Sequence, residues 1–176
     1  MSGHNKWSKI KNKKAVTDTK KSKIFGKLLR AISVEARIAG GNPNSPGVRT
    51  AVEKARAANI PSDNIERAIK KAGEAGGENL ESVTYEAYGP GGCAIIIDGL
   101  TGNRNKAAAE IKHILSKNGY ELAASGSAAW AFTKKDGEWV ANNTIDLEDS
   151  DLEKLERIVD ALEDNDEVQS VYTNVE

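Results

Sequence analysis

The hydrophobic pattern of this chain first changes its period at a glycine-rich segment between residues 72 and 78. Before Gly73, Gly76 and Gly77, apolar residues recur every three or four positions, as on one face of an α-helix. After these glycines, apolar and polar residues alternate over short runs that are rich in β-branched side chains. Helices followed mainly by strands predict an α+β protein with two parts.

The charge changes sign at the same place. Residues 1–71 contain 17 Lys and Arg against 5 Asp and Glu, whereas the rest of the chain contains 8 against 21, and the formal net charge of all 176 residues is −1. Neutrality of the whole chain therefore hides a basic part and an acidic part. This division indicates that the two parts have different partners.

The basic part is predicted to be a mobile arm followed by three helices. Residues 1–17 contain five lysines between positions 6 and 14 but only two large apolar residues, Trp7 and Ile10, too few to offset the entropy of ordering the segment. Residues 18–77 contain three amphipathic stretches and the linker. The expected helices are about 19–39, then one capped by Ser45 that runs to about 58, and one capped by Ser62 or Asp63 that ends at Lys71.

Residues 78–176 are predicted to form a small α/β sandwich of order ββαββαβ, with a mostly antiparallel sheet and two helices. Asp136-Gly137 is typical of a hairpin turn, and Ser150 with Glu153 resembles a helix capping box. The expected strands are 84–88, 93–97, 127–133, 139–140 and 168–173, and the expected helices are 103–118 and the acidic stretch through Leu162.

Residues that could support nucleophilic or metal chemistry are few. Cys93 begins an apolar strand and reads as a buried thiol, and neither His4 nor His113 has a spaced partner that would suggest a dyad or a zinc site. The acidic stretch 146–167 lacks the central Gly and terminal Glu of an EF-hand loop, so it is interpreted as a solvated helix face. Gly89-Pro90-Gly91-Gly92 is followed by a strand, which favours a hairpin turn over a phosphate loop. We expect no enzyme activity, no metal and no cofactor.

The expected compartment follows from three further observations. A single cysteine fits a reducing environment, and no apolar run approaches the roughly 20 residues that span a bilayer. The basic N-terminus also lacks the apolar segment of a secretory signal. We expect a soluble, cytoplasmic protein without membrane partners.

The basic half is predicted to bind nucleic acid, because a lysine arm and a cation-coated helix match the electrostatic footprint of a phosphate backbone. Trp7 could stack on an unpaired base. Asn103 can cap the helix 103–118, and Arg104 and Lys106 lie in its first turn, where the helix dipole disfavours positive charge. A phosphate bound there would account for these two cations. The alternative is that their side chains reach solvent or a surface carboxylate. The candidate contacts are Lys6, Trp7, Lys9, Lys11, Lys13 and Lys14 in the arm, Lys20, Lys21, Lys23, Arg30 and Arg37 in the first helix, and Arg104 and Lys106.

Several motifs resemble those of the YebC/PmpR family, in order and nearly end to end. They include Gly3–Ala15 (GHNKWSKIKNKKA), Lys23–Arg30 (KIFGKLLR), Ile60–Ile69 (IPSDNIERAI), Tyr85–Gly92 (YEAYGPGG), Thr101–Asn105 (TGNRN), Ser116–Gly119 (SKNG) and Asp160–Gln169 (DALEDNDEVQ). Family members usually carry a third α+β domain between the strand near residues 129–132 and the final acidic helix. Here residues 139–145 connect the two almost directly, so this chain resembles a short form without that domain.

The resemblance implies a non-enzymatic regulator of gene expression. The hypothesis that we favour is a ribosome-associated translation factor that contacts ribosomal RNA and eases translation of difficult stretches such as consecutive prolines, with the acidic part facing outward or meeting a basic protein. The first alternative is a transcriptional regulator that binds duplex DNA. The second is a protein-interaction module that uses the acidic helix. No recognition-helix, zinc-finger or RNP-type signature supports readout of a base sequence.

Overall fold

A computed structural model describes residues 5–13, 16–74 and 77–176. The chain divides into two compact units, a helical unit of residues 16–81 and a sheet unit of residues 82–176 that also includes the N-terminal helix. The helices in the described ranges are α1 (Lys6–Lys13), α2 (Asp18–Ile38), α3 (Pro46–Ala57), α4 (Ser62–Ala72), α5 (Arg104–Lys117) and α6 (Asp149–Glu163). The strands there are β1 (Glu81–Tyr88), β2 (Ala94–Thr101), β3 (Leu122–Ala123), β4 (Phe132–Lys135), β5 (Glu138–Ala141) and β6 (Val168–Thr173). Every helix in these ranges is too short or too polar to cross a membrane.

The helical unit is built around α2, against which both α3 and α4 pack. Its core contains Ile32 of α2, Ala55 of α3 and Ile65 of α4, all buried. The predicted cap of α3 is confirmed, since the Ser45 hydroxyl accepts the Val48 N–H at 3.4 Å. The predicted cap of α4 is wrong. Pro61 occupies the N-cap position, and its carbonyl accepts the N–H groups of the first turn, so Ser62 already lies inside the helix.

The prediction of a mobile arm is wrong for residues 6–13, which form α1 within the sheet unit. Trp7 and Ile10 lie three residues apart on one helix face and pack, half-buried, against the core of the sheet unit. The backbone N–H of Trp7 also donates to the backbone carbonyl of Glu176 at 3.3 Å. Two apolar side chains could not order the segment alone, but they are enough once a folded surface receives them. Residues 1–4 and 14–15, and therefore His4 and Lys14, lie outside the described residues.

The sheet unit confirms the expected α+β class. Its main sheet has the strand order β3-β1-β2-β6, and the β2–β6 pair is antiparallel with Ile96 opposite Tyr172. β2 is buried on both faces: Ile95 and Ile97 belong to the core formed with α5 and α6, while Ala94 and Ile96 pack with Phe132 and neighbouring residues. The β4–β5 hairpin is a separate two-stranded sheet, so β2 is the middle layer between the helices and this hairpin.

The predicted strand 127–133 is wrong over its first part, because β4 begins only at Phe132 and a short 3-10 turn occupies Ala129–Ala131. The buried carboxylate of Glu86 on β1 accepts the backbone N–H groups of Gly126, Ala128 and Ala129. These donors would otherwise need a partner strand. A side chain distant in sequence therefore replaces the sheet ladder here.

Two local predictions near the end of the chain had opposite outcomes. Asp136 and Gly137 both have positive φ, at 51° and 81°, and Lys135 pairs with Glu138, which confirms the predicted two-residue turn of type I′. The predicted capping box is wrong: α6 begins at Asp149 after Glu148, without a side-chain cap. Asp149 and Asp151, the carboxylates of the first turn, instead interact favourably with the positive end of the helix dipole.

Candidate nucleic-acid interface

The cations of α1 include two that already have carboxylate partners in the sheet unit. The Lys6 Nζ lies 3.3 Å from Asp149 Oδ1, and the Lys11 Nζ lies 2.8 Å from Glu163 Oε1. Lys11 also lies over the Trp7 ring, 5.8 Å from its centroid. The structure therefore places the Trp7 ring between the core and a lysine of its own helix rather than in open solvent.

The other two described lysines of α1 differ from these. Lys9 and Lys13 are exposed, and neither has a carboxylate partner among residues 5–13, 16–74 and 77–176. Lys14, the last member of the predicted arm cluster, lies outside these ranges. Lys9 and Lys13 are consequently the cations of this helix that can approach a phosphate without first leaving a partner.

The predicted phosphate contact at the start of α5 has neighbours of its own. Asn103 caps α5 as expected, because its side chain accepts the Lys106 N–H at 3.1 Å. The Lys106 Nζ lies 3.8 Å from Glu110 and 3.7 Å from Glu167, and the Tyr85 hydroxyl donates to the Arg104 carbonyl at 3.4 Å. The two carboxylates offset the unfavourable position of Lys106 in the first helical turn. This contact is the alternative considered above, in which the lysine reaches a surface carboxylate.

The predicted cations of α2 fall into three groups. Lys20 and Lys21 are exposed in its first turns and have no carboxylate partner in the part of the chain that the structure describes. Lys23 and Arg30 are half-buried. Arg37 is exposed and binds the backbone of another segment, since its Nη1 donates hydrogen bonds to the carbonyls of Gly77 at 3.2 Å and Glu78 at 2.6 Å.

Sequence reasoning missed a set of cations on the other two helices of this unit. Within the described ranges, five exposed cations of α3 and α4 have no carboxylate partner: Arg49, Arg56, Arg67, Lys70 and Lys71. A usable signal was present, because Arg67 and Lys71 are four residues apart and so share one face of α4.

Two of these residues line a cleft of about 640 Å³ between α2, α4 and residues 77–80. Arg30 and Arg37 contribute from α2, and Arg67 and Lys71 contribute from α4. The rest of the lining is partly apolar, with Leu29, Val34 and Leu80 among its members, and partly polar, with Ser33, Asn64, Glu78 and Asn79. The structure thus brings two predicted cations together with two unpredicted ones.

The described residues that were considered for catalysis belong to the sheet unit. Cys93 is fully buried in the sheet unit, and burial raises the pKa of its thiol from 9.0 to about 11, so the thiolate is disfavoured. His113 is exposed in the middle of α5. The described ranges contain no group of three or more His, Cys, Asp or Glu residues that could hold a metal ion.

Comparison with known proteins assigns the chain to a family. Residues 5–75 match the family model described as "TACO1/YebC protein N-terminal domain", and residues 80–137 and 134–175 match "TACO1/YebC second and third domain". The chain belongs to the TACO1/YebC family. The expected resemblance to the YebC/PmpR family is therefore confirmed.

Relatives of this family member are named as regulators. It is 38% identical to a "Probable transcriptional regulatory protein" of Chloroherpeton thalassium, with 100% of this chain and 96% of the relative covered. It is 42% identical to a protein of the same name from Fervidobacterium nodosum, with 99% and 93% covered. The crystal structure of a conserved hypothetical protein from Aquifex aeolicus matches with a TM-score of 0.78 at 30% identity, over 90% of this chain and 91% of that one.

The expected short form also agrees with these comparisons. The match to the Chloroherpeton protein extends over 239 positions although this chain has only 176 residues, which leaves about 63 positions without a residue here. The two segments that match the second and third domains meet at residues 134–137, which include the Asp136-Gly137 turn. In this family member, a two-residue hairpin turn lies where longer relatives continue into further chain.

Proposed function

We propose that this chain is a nucleic-acid-binding regulator of gene expression that acts as a ribosome-associated translation factor, with its helical unit in contact with ribosomal RNA. The observation that carries the proposal is a group of exposed cations on the helical unit that have no carboxylate partner in the described ranges, in a unit where 12 Lys and Arg face 8 Asp and Glu. In the sheet unit, Lys6, Lys11, Lys106 and Lys154 lie 2.8 to 3.8 Å from carboxylates, and Lys9, Lys13, Lys112 and Lys117 have none in the described ranges. Seven cations of the helical unit have no such partner in the described ranges: Lys20, Lys21, Arg49, Arg56, Arg67, Lys70 and Lys71.

Uncompensated cations on three short helices suit a phosphate backbone, because each contact releases a condensed counterion and contributes affinity that does not depend on base sequence. The surface includes no zinc-finger or RNP-type motif that would read bases. Folded RNA and duplex DNA both offer dense phosphates without requiring such an element, so the choice of ribosomal RNA as the target rests on the family resemblance. A factor of this kind would ease translation of consecutive proline codons, as the family resemblance implies.

Co-sedimentation with ribosomes tests the proposal directly. The double variant Lys20→Glu/Lys21→Glu should shift the protein from the ribosomal pellet to the supernatant at physiological salt, since it reverses two exposed, unpaired charges. A matched control is Lys112→Glu/Lys117→Glu on α5, where the same charge change falls on exposed residues of the sheet unit. Pelleting that is equal in both variants and the wild type would contradict contact through the helical unit.

The second candidate is a transcriptional regulator that binds duplex DNA, and the printed name of the relatives favours it. Crosslinking in cells, followed by sequencing of the bound nucleic acid, separates the two candidates. Mainly ribosomal RNA supports the translation factor, and mainly promoter DNA supports the transcriptional regulator. On B-DNA the logarithm of the binding constant should fall with a slope of about −0.9 per neutralised phosphate against the logarithm of salt concentration.

A further inference from the structure

The cleft in the helical unit is lined by cations from two helices. Arg67 and Lys71 line it from α4, and Arg30 and Arg37 line it from α2. Residues four apart on a helix lie one above the other, with Cβ atoms roughly 5–6 Å apart. Arg67 and Lys71 therefore form a short row of positive charge along one wall, and neither has a carboxylate partner within the described ranges.

Arg37 holds residues 77 and 78 of the cleft lining in place and keeps donors with which it can bind an anion. Arg37 donates two hydrogen bonds from Nη1 to the carbonyls of Gly77 and Glu78. Because a guanidinium has five N–H donors, Nε and Nη2 stay available for an anion. Arg37 is thus a positioning residue for segment 77–80 and also part of the cationic lining.

Apolar side chains form another part of the cleft lining: Leu29 and Val34 of α2, Ala68 and Ala72 of α4, and Leu80. The polar residues Ser33, Asn64, Glu78 and Asn79 also line it, and Glu78 is the one carboxylate among the described lining residues. Ile38 also lines it and is 75% exposed, a costly position for a large aliphatic side chain in water. An occupant with an apolar face as well as negative charge would cover Ile38 while it binds the cations.

We infer that this cleft binds unpaired nucleotides of RNA, with phosphates on Arg67 and Lys71 and a base against the apolar lining residues. The inference rests on the proposed function and names the part of the RNA that the helical unit takes up. A nucleotide combines a flat apolar face with an anion, and its base can also stack on an arginine plane. The cleft volume lies within the range of small-ligand sites, about 300–1,000 Å³, which suits roughly one or two nucleotides but not a duplex.

Fluorescence anisotropy on the full chain tests this inference. The probe is a labelled, non-self-complementary single-stranded RNA of about ten nucleotides, compared with a hairpin RNA duplex of similar composition. Lys71→Ala and Arg67→Ala should each weaken single-strand binding about ten-fold, and each should lower the magnitude of the salt slope by about 0.7. The matched control is Lys70→Ala, which removes another exposed lysine from the same last turn of α4 but outside the cleft, and should change affinity less than about two-fold.

A second variant tests entry of the base without changing charge. Ala72→Leu adds three carbons to a side chain that lines the cleft. It should weaken single-strand binding, while the circular dichroism spectrum stays that of the wild type. Equal losses in Lys70→Ala and Lys71→Ala would overturn the inference, since a diffuse cationic surface would then account for binding. Tighter binding of the duplex than of the single strand would overturn it too.

The outcomes also separate this inference from the proposed function. If the variants of the cleft keep wild-type affinity for the single strand while Lys20→Glu/Lys21→Glu releases the protein from ribosomes, the proposed function stands and the inference is wrong. If the wild type binds neither ribosomes nor either RNA probe, the proposed function itself fails, and the inference fails with it.

Discussion

The Nζ of Lys11 lies 2.8 Å from the Oε1 of Glu163, although the two residues are 152 positions apart in the chain. This ion pair joins α1 to the last turn of the acidic helix α6. It shows that part of the N-terminal positive charge is already met by the chain's own carboxylates. A nucleic acid that binds α1 through Lys11 must replace Glu163 as the partner.

The first prediction concerns this contact. Glu163→Gln should lower the free energy of unfolding by less than about 1 kcal/mol, because both side chains are partly exposed and surface pairs are weak. Trp7→Ala should have the larger effect, since it removes an indole that packs against the core of the sheet unit. Amide hydrogen exchange over residues 6–13 measures both, and equal exchange in the two variants would show that packing does not hold α1.

The second prediction concerns Glu86, which is 6% exposed and accepts three backbone N–H groups from the 126–129 segment. In Glu86→Gln, a side-chain NH₂ replaces one of the two accepting oxygens and leaves a buried donor unpaired. The free energy of unfolding should fall by about 1–3 kcal/mol. The control is Glu121→Gln, the same change at an exposed residue. Similar thermal unfolding of the two variants would contradict the role given to Glu86.

The third prediction compares two glycines. A Cβ on Gly99 would lie 2.6 Å from the Glu167 carbonyl oxygen, which cannot retreat freely because it accepts the Leu100 N–H at 2.9 Å. Gly99→Ala should therefore destabilise the sheet unit by about 1–3 kcal/mol. Gly26→Ala, in the interior of α2 with nothing within 4 Å of the new Cβ, should stabilise the helical unit by about 0.5–1 kcal/mol. Denaturant unfolding followed by circular dichroism gives both signs.

The fourth prediction concerns the pH dependence of stability. Burial raises the pKa of the Cys93 thiol from 9.0 to about 11. Below pH 9 the thiol is protonated in both states, so its contribution is fully present. Between about pH 9 and 11 the unfolded chain releases the proton before the folded chain does, and stability falls.

The Cys93→Ala variant isolates this contribution. Its unfolding free energy should decrease less steeply than that of the wild type between pH 8.5 and 10.5, whatever its absolute value at neutral pH. Burial also raises the pKa of Tyr172, which contributes in both proteins and so cancels in the comparison. Parallel curves for the wild type and the variant would refute the assignment to Cys93.

Much of the local structure was predictable because it depends on neighbouring residues. The span of β6 was predicted as 168–173 and is observed as Val168–Thr173, and the caps at Ser45 and Asn103 are present. The predicted strand 127–133 failed for the opposite reason. Its N–H groups bind the carboxylate of Glu86, some 40 residues earlier, and no local pattern marks that pairing.

The candidate interface was predictable only as a region. Charge counts pointed to the first 71 residues, but they could not separate Lys6 and Lys11, which pair with carboxylates, from Lys20 and Lys21, which do not within the described ranges. The cleft was missed because its two walls come from helices about 35 residues apart in the chain. Only the packing of α4 on α2 brings the two pairs of cations together.

The sequence by itself determined the division into a helical and a sheet unit, most helix limits, the Asp136-Gly137 turn and the family. These features follow from hydrophobic period, caps and turn residues, all of which act over a few positions. Tertiary structure decided that residues 6–13 form a helix, that Glu86 replaces a strand partner, and which cations remain without carboxylates. The physical reason is range: burial and ion pairing depend on residues that folding brings close from distant positions, as it brings Lys11 to Glu163.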